Sequence, residues 1–128
     1  MGGTRRTRNV VMPDPYCPKR GDIAWLTFTP QAGHEQAGHR PALILSPDLY
    51  NKKVGLALVC PITTQVKGYP FEVPIPKGLE VGGGVLADQV KSLDWKARRA
   101  RFCCTAPVAT IYEVLRKLSP LLVESTIF

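Results

Sequence analysis

Residues 33–41, GHEQAGHRP, concentrate groups that can bind anions or move protons: two histidines, a glutamate and an arginine. Arg40 directly precedes Pro41, and a proline pushes the backbone of the residue before it toward the extended region. A guanidinium held at such a position can bind two oxygens of a phosphate or a carboxylate at once. From residue type and position alone, phosphate binding and a surface ion pair with Asp or Glu are equally good interpretations.

The other groups in this segment allow general acid–base chemistry. His34 and His39 could serve as general base and general acid, because an unperturbed imidazole titrates near neutral pH. Their spacing in a loop fixes no geometry, so hydrogen-bonded or solvated histidines are the favoured interpretation. Glu35 could polarise a hydroxyl or orient Arg40, or it could be a solvated carboxylate. The segment therefore offers candidates without deciding among them.

Two hydroxyls follow the apolar run at 59–62, VCPI, which reads as the end of a buried strand. Thr63 and Thr64 could donate to a non-bridging phosphate oxygen at this position. They could equally close a turn on the neighbouring backbone, which is the favoured interpretation for threonines taken alone.

Two later segments add groups suited to a nucleic acid. Tyr69 and Phe71 are candidate stacking faces, although Phe71 fits a core position better. Asp88, Gln89 and Lys91 are candidate partners for base edges or phosphates, and we expect Gln89 and Lys91 to share one sheet face. Stacking faces together with polar contacts are how proteins recognise single-stranded nucleic acid.

The composition is that of one ordinary domain with a basic surface. The chain has 128 residues, a net charge of +7 and 45% hydrophobic residues, enough to form a core without metals or disulfides. This charge favours a polyanion or a flexible acidic protein as partner. The four cysteines lack metal-ligand spacing and fit core packing better. No apolar run could span a bilayer and the N-terminus lacks a secretory signal, so the expected location is the cytoplasm.

The alternation of apolar residues predicts a small, strongly bent sheet or barrel closed by one C-terminal helix. The predicted strands are 22–28, 42–46, 54–62, 70–75, 82–93 and 97–106, with a turn or short helix at 47–53. The helical stripe consists of Val108, Ile111, Tyr112, Leu115 and Leu118, and Pro120 is expected to end the helix. Residues 1–18 read as a basic tail, and residues 19–128 as one domain, mainly β with a C-terminal helix (α+β).

Four quoted stretches, taken in order, resemble the MazF/PemK family of bacterial toxin endoribonucleases. They are RGDIAWLTFTP, GHEQAGHRPALILSPDLYN, VCPITTQVKGYPFEV and GGVLADQVKSLDW, and the resemblance covers roughly residues 21–122. It implies a small SH3-like barrel of the MazF/PemK/CcdB type that forms a homodimer. It also implies Arg40 and Thr63 as the catalytic pair, with Glu35 contributing to activity. The remaining residues expected to contact RNA are His39, Thr64, Gln65, Lys67, Asp88, Gln89 and Lys91.

The resemblance further implies the toxin of a type II toxin–antitoxin system that inhibits translation and growth. Such an enzyme cleaves single-stranded RNA at specific sequences without a metal or other cofactor. The RNA 2′-hydroxyl attacks the phosphate and leaves a 2′,3′-cyclic phosphate and a 5′-hydroxyl. A MazE-like antitoxin with a flexible acidic tail is the implied protein partner. The alternatives are a gyrase-poisoning toxin or a non-catalytic nucleic-acid-binding module on the same barrel.

Three features lie outside what the resemblance explains. The basic tail before Pro18, the segment after Pro120 and His34 have no counterpart in the family pattern. The general base also stays open, because Glu35, His39 and Arg40 each remain candidates.

Overall fold

The computed structural model describes residues 15–27 and 39–123. Within these residues the chain forms seven strands and two helices. In chain order they are β1 (Asp22–Thr27), β2 (His39–Ile44), α1 (Asp48–Val54), β3 (Leu56–Thr63), β4 (Glu72–Pro74), β5 (Gly84–Leu86), β6 (Lys91–Asp94), β7 (Arg101–Thr105) and α2 (Val108–Leu122). Neither helix is long and apolar enough to cross a membrane.

The strands form one antiparallel sheet in the order β4–β5–β3–β2–β1–β7, with β6 paired to β3 outside that path. Strand β3 has β2 along one edge and two successive partners along the other. Its first half pairs with β6, from Leu56 opposite Asp94 to Val59 opposite Lys91. Its last residue, Thr63, pairs with Gly84 of β5. The C-terminal end of β3 therefore lies between β2 and β5.

The sheet is open, so the barrel part of the predicted fold is wrong, whereas the mainly β domain with a C-terminal helix is confirmed. The two ends of the sheet order, β4 and β7, are not paired with each other among the described residues. Strand β4 has only three residues, and Pro74 supplies no N–H to extend a ladder. Helix α2 covers the core there: Val114 and Leu118 pack in the same cluster as Val73 of β4 and Cys104 of β7.

Both faces of the central strands are buried, as the apolar alternation in residues 22–28 predicts. One cluster contains Ile23, Leu43 and Cys60, and a second contains Leu26 and Val59 with their neighbours. Successive strand residues point to opposite faces, so a strand buried on both sides carries apolar residues without a polar face. The buried Cys60 and Cys104 are free thiols, which confirms their predicted packing role.

Residues 15–18, which the sequence places in the tail, pack on the second face of the sheet. Tyr16 and Cys17 contact the second cluster, and Pro18 is fully buried. The Tyr16 hydroxyl donates a hydrogen bond of 2.6 Å to Oδ2 of Asp22, a buried residue. Residues 1–14 lie outside the described part of the chain.

Hydrogen bonds of Asn51, on α1, and of its partner Ser46 form a buried network, which we call the Asn51 hub. Asn51 Nδ2 donates to the carbonyl oxygens of Pro18 at 2.8 Å and Ser46 at 3.0 Å, and Asn51 Oδ1 accepts from the Ser46 hydroxyl at 2.5 Å. The Ser46 hydroxyl in turn accepts from Leu58 N at 2.9 Å, and Trp95 Nε1 donates to the Asn51 carbonyl at 2.9 Å. Asn51 is fully buried, so this network satisfies groups that would otherwise be costly to desolvate.

Two predicted strands are shorter than their sequence patterns. The run at 82–93 is divided by a turn after Leu86, so it forms β5 and β6 instead of one strand. The prediction that Gln89 and Lys91 share one sheet face is therefore wrong. The run at 97–106 begins with turns that include Arg99 at φ 56°, and only its second half is β7.

Helix α2 departs from its predicted stripe and from its predicted end. Its buried residues are Thr110, Val114 and Leu118, whereas Val108 and Tyr112 of the predicted stripe are exposed. The helix also continues past Pro120 to Leu122. Proline lacks the N–H group that would donate a hydrogen bond within the helix. Because Pro120 lies in the last, exposed turn, losing this one bond costs little.

Candidate functional site

A cavity of about 590 Å³ opens where strands β1, β2 and β3 meet the segment that precedes β5. Its lining residues are Trp25, His39, Arg40, Pro41, Ile62, Thr63, Thr64, Gln65, Glu80, Val81 and Gly82. His39–Pro41, which the sequence assigns to a loop, belong to strand β2. The neighbouring residues 28–38 lie outside the described part of the chain, and Glu35 is among them.

Thr63 occupies this cavity because β3 ends there. Ile62 is buried in the core, and Thr63, the last residue of the strand, is half-buried on the cavity side. The Thr63 hydroxyl oxygen accepts a hydrogen bond of 3.1 Å from Gln65 N. A hydroxyl has one hydrogen to donate besides its lone pairs, so this turn leaves that hydrogen for another acceptor. The turn and a phosphate contact, which the sequence treats as alternatives, are therefore compatible.

Gly83 brings the wall segment close to Thr63. Its φ is +110°, and a Cβ built there would lie 2.0 Å from the Thr63 carbonyl oxygen and 3.1 Å from Thr64 Cα. No side chain fits at this position without moving the end of β3. Gly82, its neighbour in the cavity wall, would meet nothing within 4 Å. The absence of a side chain at Gly83 thus allows the wall segment to pack against the backbone of Thr63, from which the hydroxyl projects.

An aromatic wall stands beside Arg40. The rings of Trp25 and His39 stack with centroids 5.4 Å apart and planes 8° apart. His39 and Arg40 are both exposed on β2. Sequence reasoning missed Trp25 as a site residue, since the two-sided apolar pattern of β1 suggests only burial. The groove therefore combines a guanidinium, a hydroxyl and flat ring faces.

A second cavity of about 410 Å³ adjoins the first. Its lining residues are Thr63, Gln65, Lys67, Tyr69, Glu72, Leu86 and Gln89. Thr63 and Gln65 line both cavities, and we call the two adjoining cavities together the groove. Thr63 lies at the junction of its two parts.

The loop that borders the second cavity is held by a buried carboxylate. Glu72 Oε1 accepts hydrogen bonds from the backbone N–H groups of Lys67, Gly68 and Tyr69, at 3.0, 2.9 and 3.1 Å. From the other side, Lys117 Nζ of α2 donates to the Pro70 carbonyl at 2.5 Å. These contacts fix a loop whose side chains are exposed, so Lys67 and Tyr69 can face a ligand without the loop having to order first.

Tyr69 is also joined to Asp88. Its hydroxyl donates a hydrogen bond of 2.5 Å to Asp88 Oδ2. This bond to a carboxylate is the main reason why the pKa of Tyr69 is raised above its ordinary value, with desolvation as a smaller cause. Asp88 therefore orients a groove side chain, although it does not line either cavity.

Most of the predicted site residues meet at the groove. The first cavity contains His39, Arg40, Thr63, Thr64 and Gln65, and the second adds Lys67 and Gln89. Asp88 and Lys91 line neither cavity, and Lys91 begins β6 opposite Val59. The lining residues that sequence reasoning missed include Trp25, Glu80, Val81 and Gly82. Arg101, which belongs to the basic run at 96–101 in the sequence, lies with its Nη2 2.9 Å from His39 Nε2.

Metal-ligating groups do not gather in the described residues, where no three or more His, Cys, Asp or Glu side chains could hold an ion together. The cysteines are not at the groove. Burial raises the pKa of the Cys60 and Cys104 thiols to about 12, which keeps them protonated and unreactive near neutral pH. The chemistry available at the groove is that of guanidinium, hydroxyl, amide and aromatic groups.

A small basic domain with an open polar groove, aromatic faces and a fixed loop has the attributes of a protein that binds single-stranded nucleic acid. The sequence model of a protein family, described as PemK-like, MazF-like toxins of type II toxin–antitoxin systems, matches residues 19–122. The chain belongs to this family of toxin endoribonucleases.

Relatives and solved structures agree with that assignment. The endoribonuclease toxin MazF of Escherichia coli is 58% identical over 85 residues, which are 66% of this chain and 76% of the relative. The endoribonuclease PemK of Escherichia coli is 35% identical over 108 residues, 81% of each chain. A crystal structure of MazF from Deinococcus radiodurans superimposes with a TM-score of 0.76 at 55% identity, covering 84% of this chain and 97% of that one. A MazE–MazF complex from the same organism gives a TM-score of 0.76 at 48% identity, covering 84% and 96%.

Proposed function

We propose that this chain is the toxin of a type II toxin–antitoxin system and cleaves single-stranded RNA at specific sequences. The observation that carries the proposal is the meeting of Arg40 and Thr63, from β2 and β3, in one open cavity beside the stacked rings of Trp25 and His39. The relatives named above are endoribonucleases, which favours this function over a gyrase poison or an inactive binding module.

The reaction is an attack by the substrate's own 2′-oxygen on the adjacent phosphorus. The new P–O bond closes a 2′,3′-cyclic phosphate, and the bond from phosphorus to the 5′-oxygen of the next nucleotide breaks. A base takes the proton of the 2′-hydroxyl, and the departing 5′-oxygen gains a proton to become a 5′-hydroxyl. The nucleophile belongs to the RNA, so the protein has to align it and stabilise charge on the phosphate.

Arg40 and Thr63 supply that stabilisation. The Arg40 guanidinium offers forked donors to the two non-bridging oxygens, where negative charge develops in the transition state. Thr63 donates its remaining hydroxyl hydrogen to one of these oxygens, from a position fixed by its own turn and by Gly83. Loss of one such preorganised donor lowers kcat on the order of 10²–10³-fold.

Glu35 is the physically easier candidate for the general base. A carboxylate desolvated by bound RNA can accept a proton, whereas a guanidinium keeps its proton at neutral pH and is a poor acceptor. Glu35 lies five residues before Arg40 in the sequence. Its role is a prediction, because residues 28–38 are outside the described part of the chain.

The second cavity suits the bases that follow or precede the cleaved bond. Gln65 and Gln89 can hydrogen-bond base edges, Lys67 can contact a phosphate, and Tyr69 offers a ring for stacking. Thr64 borders the first cavity and can contact the backbone there. Asp88 acts through Tyr69, and Lys91 contributes positive charge outside the groove. Sequence-specific cleavage would then depend on these side chains and not on Arg40.

The chain's partners follow from its surface. An antitoxin with a flexible acidic tail complements a net charge of +7, and a MazF relative crystallises together with MazE. A homodimer would bury apolar side chains that α2 leaves more than half exposed, such as Val108, Tyr112 and Leu122. Because the proposed substrate is messenger RNA, we expect the chain to act in the cytoplasm.

Cleavage of a long unstructured RNA in excess EDTA, with mapping of the new ends, tests the proposal. We expect cleavage at recurrent sites with 2′,3′-cyclic phosphate and 5′-hydroxyl ends, because the groove groups need no metal for this chemistry. The Arg40→Ala variant should keep its circular dichroism and unfolding temperature but lose cleavage on the order of 10²–10³-fold or more. Arg116→Ala, which removes an exposed arginine on α2, is the control for the loss of one charge.

The three candidate functions give different outcomes. A gyrase poison would neither bind nor cut the RNA, and an inactive module would bind it in a salt-dependent way without cutting. Cleavage that stops with EDTA and returns with magnesium, or full activity of Arg40→Ala, would overturn the proposed mechanism.

A further inference from the structure

Arg101 reaches across one strand to contact a groove residue on another. It lies on β7 opposite Trp25 of β1, and Trp25 lies opposite Pro41 of β2. Directly paired residues share a sheet face, so Arg101, Trp25 and Pro41 form one row across the three strands. His39 lies two residues before Pro41 on β2 and therefore on the same face. At the end of this row Arg101 Nη2 lies 2.9 Å from Nε2 of His39.

The chemistry of this contact fixes the form of the imidazole. A guanidinium can donate hydrogen bonds but has no acceptor, so Nε2 of His39 must be the acceptor. A ring that accepts at Nε2 is neutral and carries its hydrogen on Nδ1. In this form Nε2 is engaged as the acceptor of the bond from Arg101, and Nδ1 carries the hydrogen that the ring can donate.

The plane of the ring is fixed as well. Trp25 stacks on His39 with only 8° between the planes, and the hydrogen bond from Arg101 sets the rotation of the ring within that plane. Among the described residues, the charged groups that border this end of the groove are Arg101 from β7, Arg40 from the same strand as His39 and Glu80 from the opposite wall. Two independent contacts thus hold an exposed side chain in one orientation.

We propose that Arg101 is a positioning residue that holds His39 as the Nδ1–H tautomer, so that His39 acts in the groove as a hydrogen-bond donor and stacking face. His39 then does not accept the 2′-hydroxyl proton, which reduces the candidates for the general base to Glu35 and Arg40. The inference rests on the proposed RNA cleavage for its functional meaning, but the tautomer itself can be measured without RNA.

Nuclear magnetic resonance of protein with ¹⁵N-labelled histidine tests the tautomer directly. Near pH 9, where unperturbed imidazole is neutral, the native His39 should show a protonated Nδ1 and an unprotonated Nε2. In Arg101→Gln the signal should shift toward the Nε2–H form that free histidine prefers in water, and Arg101→Lys should retain part of the native pattern. The His34→Asn variant assigns the signals. A native Nε2–H form, or no change in Arg101→Gln, would overturn the inference.

Cleavage kinetics provide the second readout. Arg101→Gln should lower kcat/KM by about 3- to 10-fold, the value of one lost hydrogen bond, and the loss should persist at high salt. Arg116→Gln removes the same charge from an exposed position on α2, so any loss it causes should disappear at high salt. A loss in Arg101→Gln that also disappears at high salt would reduce Arg101 to a surface charge. If the native protein shows the Nδ1–H tautomer but does not cut RNA, the proposed function fails while the geometry stands.

Discussion

The Asn51 hub and the groove are both built from polar side chains, and they differ in what those side chains bind. In the hub, the side-chain oxygen and nitrogen of the fully buried Asn51 bond to protein atoms, at 2.5–3.0 Å. In the groove, Thr63 uses only its oxygen locally, and Gln65, Lys67 and Gln89 are exposed. The hub stabilises the fold, whereas the groove keeps hydrogen-bonding capacity for a ligand.

The comparison separates two effects that mutations often mix. A change in the hub should lower the free energy of unfolding and leave the chemistry of the folded molecules intact. A change in the groove should lower the rate of cleavage and leave the free energy of unfolding nearly unchanged. A change at Gly83 should affect both properties, because Gly83 packs against the backbone of Thr63, whose hydroxyl lies in the groove.

The largest expected effect is on the groove side. Thr63→Ala should lower kcat on the order of 10²–10³-fold, because it removes a fixed donor to the phosphate, and Thr63→Ser should retain most activity. Thr64→Ala should lower it far less, since Thr63 lies at the junction of the two cavities and Thr64 lines only the first. Single-turnover cleavage of a short RNA measures both, and equal losses would show that the hydroxyls serve only the turn.

A change in the hub should have its main effect on stability. Asn51→Ala removes the acceptor of the Ser46 hydroxyl hydrogen and the side-chain donor to the Pro18 carbonyl, which should reduce the free energy of unfolding by about 2–4 kcal/mol. Urea unfolding measures this loss, and Lys53→Ala on the exposed side of the same helix is the control. At a temperature where the variant is folded, its kcat should match the native value; a large fall in kcat would mean that the two regions are coupled.

Gly83→Ala should affect both properties by smaller amounts. A methyl group 2.0 Å from the Thr63 carbonyl, on a backbone with φ of +110°, should cost about 1–3 kcal/mol of stability. Because the end of β3 must move, we expect cleavage to fall by roughly tenfold as well. Gly82→Ala, where a Cβ meets nothing within 4 Å, should change both far less. Similar effects of the two variants would show that the close approach does not position Thr63.

The smallest effect concerns the titration of Tyr69. Its pKa is raised by the hydrogen bond to Asp88, so the folded protein holds the phenol proton more tightly than the unfolded chain does. The associated stability is present below the ordinary tyrosine pKa and is lost as pH rises through the raised value. Absorbance of tyrosinate should therefore appear at lower pH in Asp88→Asn than in the native protein. Superimposable titration curves would mean that the bond does not form in solution.

The parts of the fold that the sequence predicts are those governed by short-range periodicity. The two-sided apolar pattern of 22–28 identifies a central strand, and the order of strands followed by one helix is confirmed. The division of 82–93 into β5 and β6 could not be read from alternation, because it depends on which part of β3 each half can pair with. The continuation of α2 past Pro120 reflects exposure of the last turn, which a local pattern does not report.

The candidate site divides in the same way. Arg40 and Thr63 could be singled out because each adjoins a strand end, and the family resemblance supplied their roles. Trp25 and Arg101 could not, because their part in the site comes from the pairing of β7 with β1, which joins residues about 80 positions apart in sequence. Such long-range pairing leaves no mark on the spacing of residues along the chain.

That same pairing has a consequence for how the protein is made. Strand β7 is the last strand of the sheet, yet its partner β1 is the first, with Asp22 opposite Thr105. During synthesis from the N-terminus, Arg40 and Thr63 leave the ribosome long before the strand that completes the edge beside Trp25. The proposed catalytic residues are thus present early in the nascent chain, whereas the edge of the sheet beside Trp25 is completed only after the last strand has been translated.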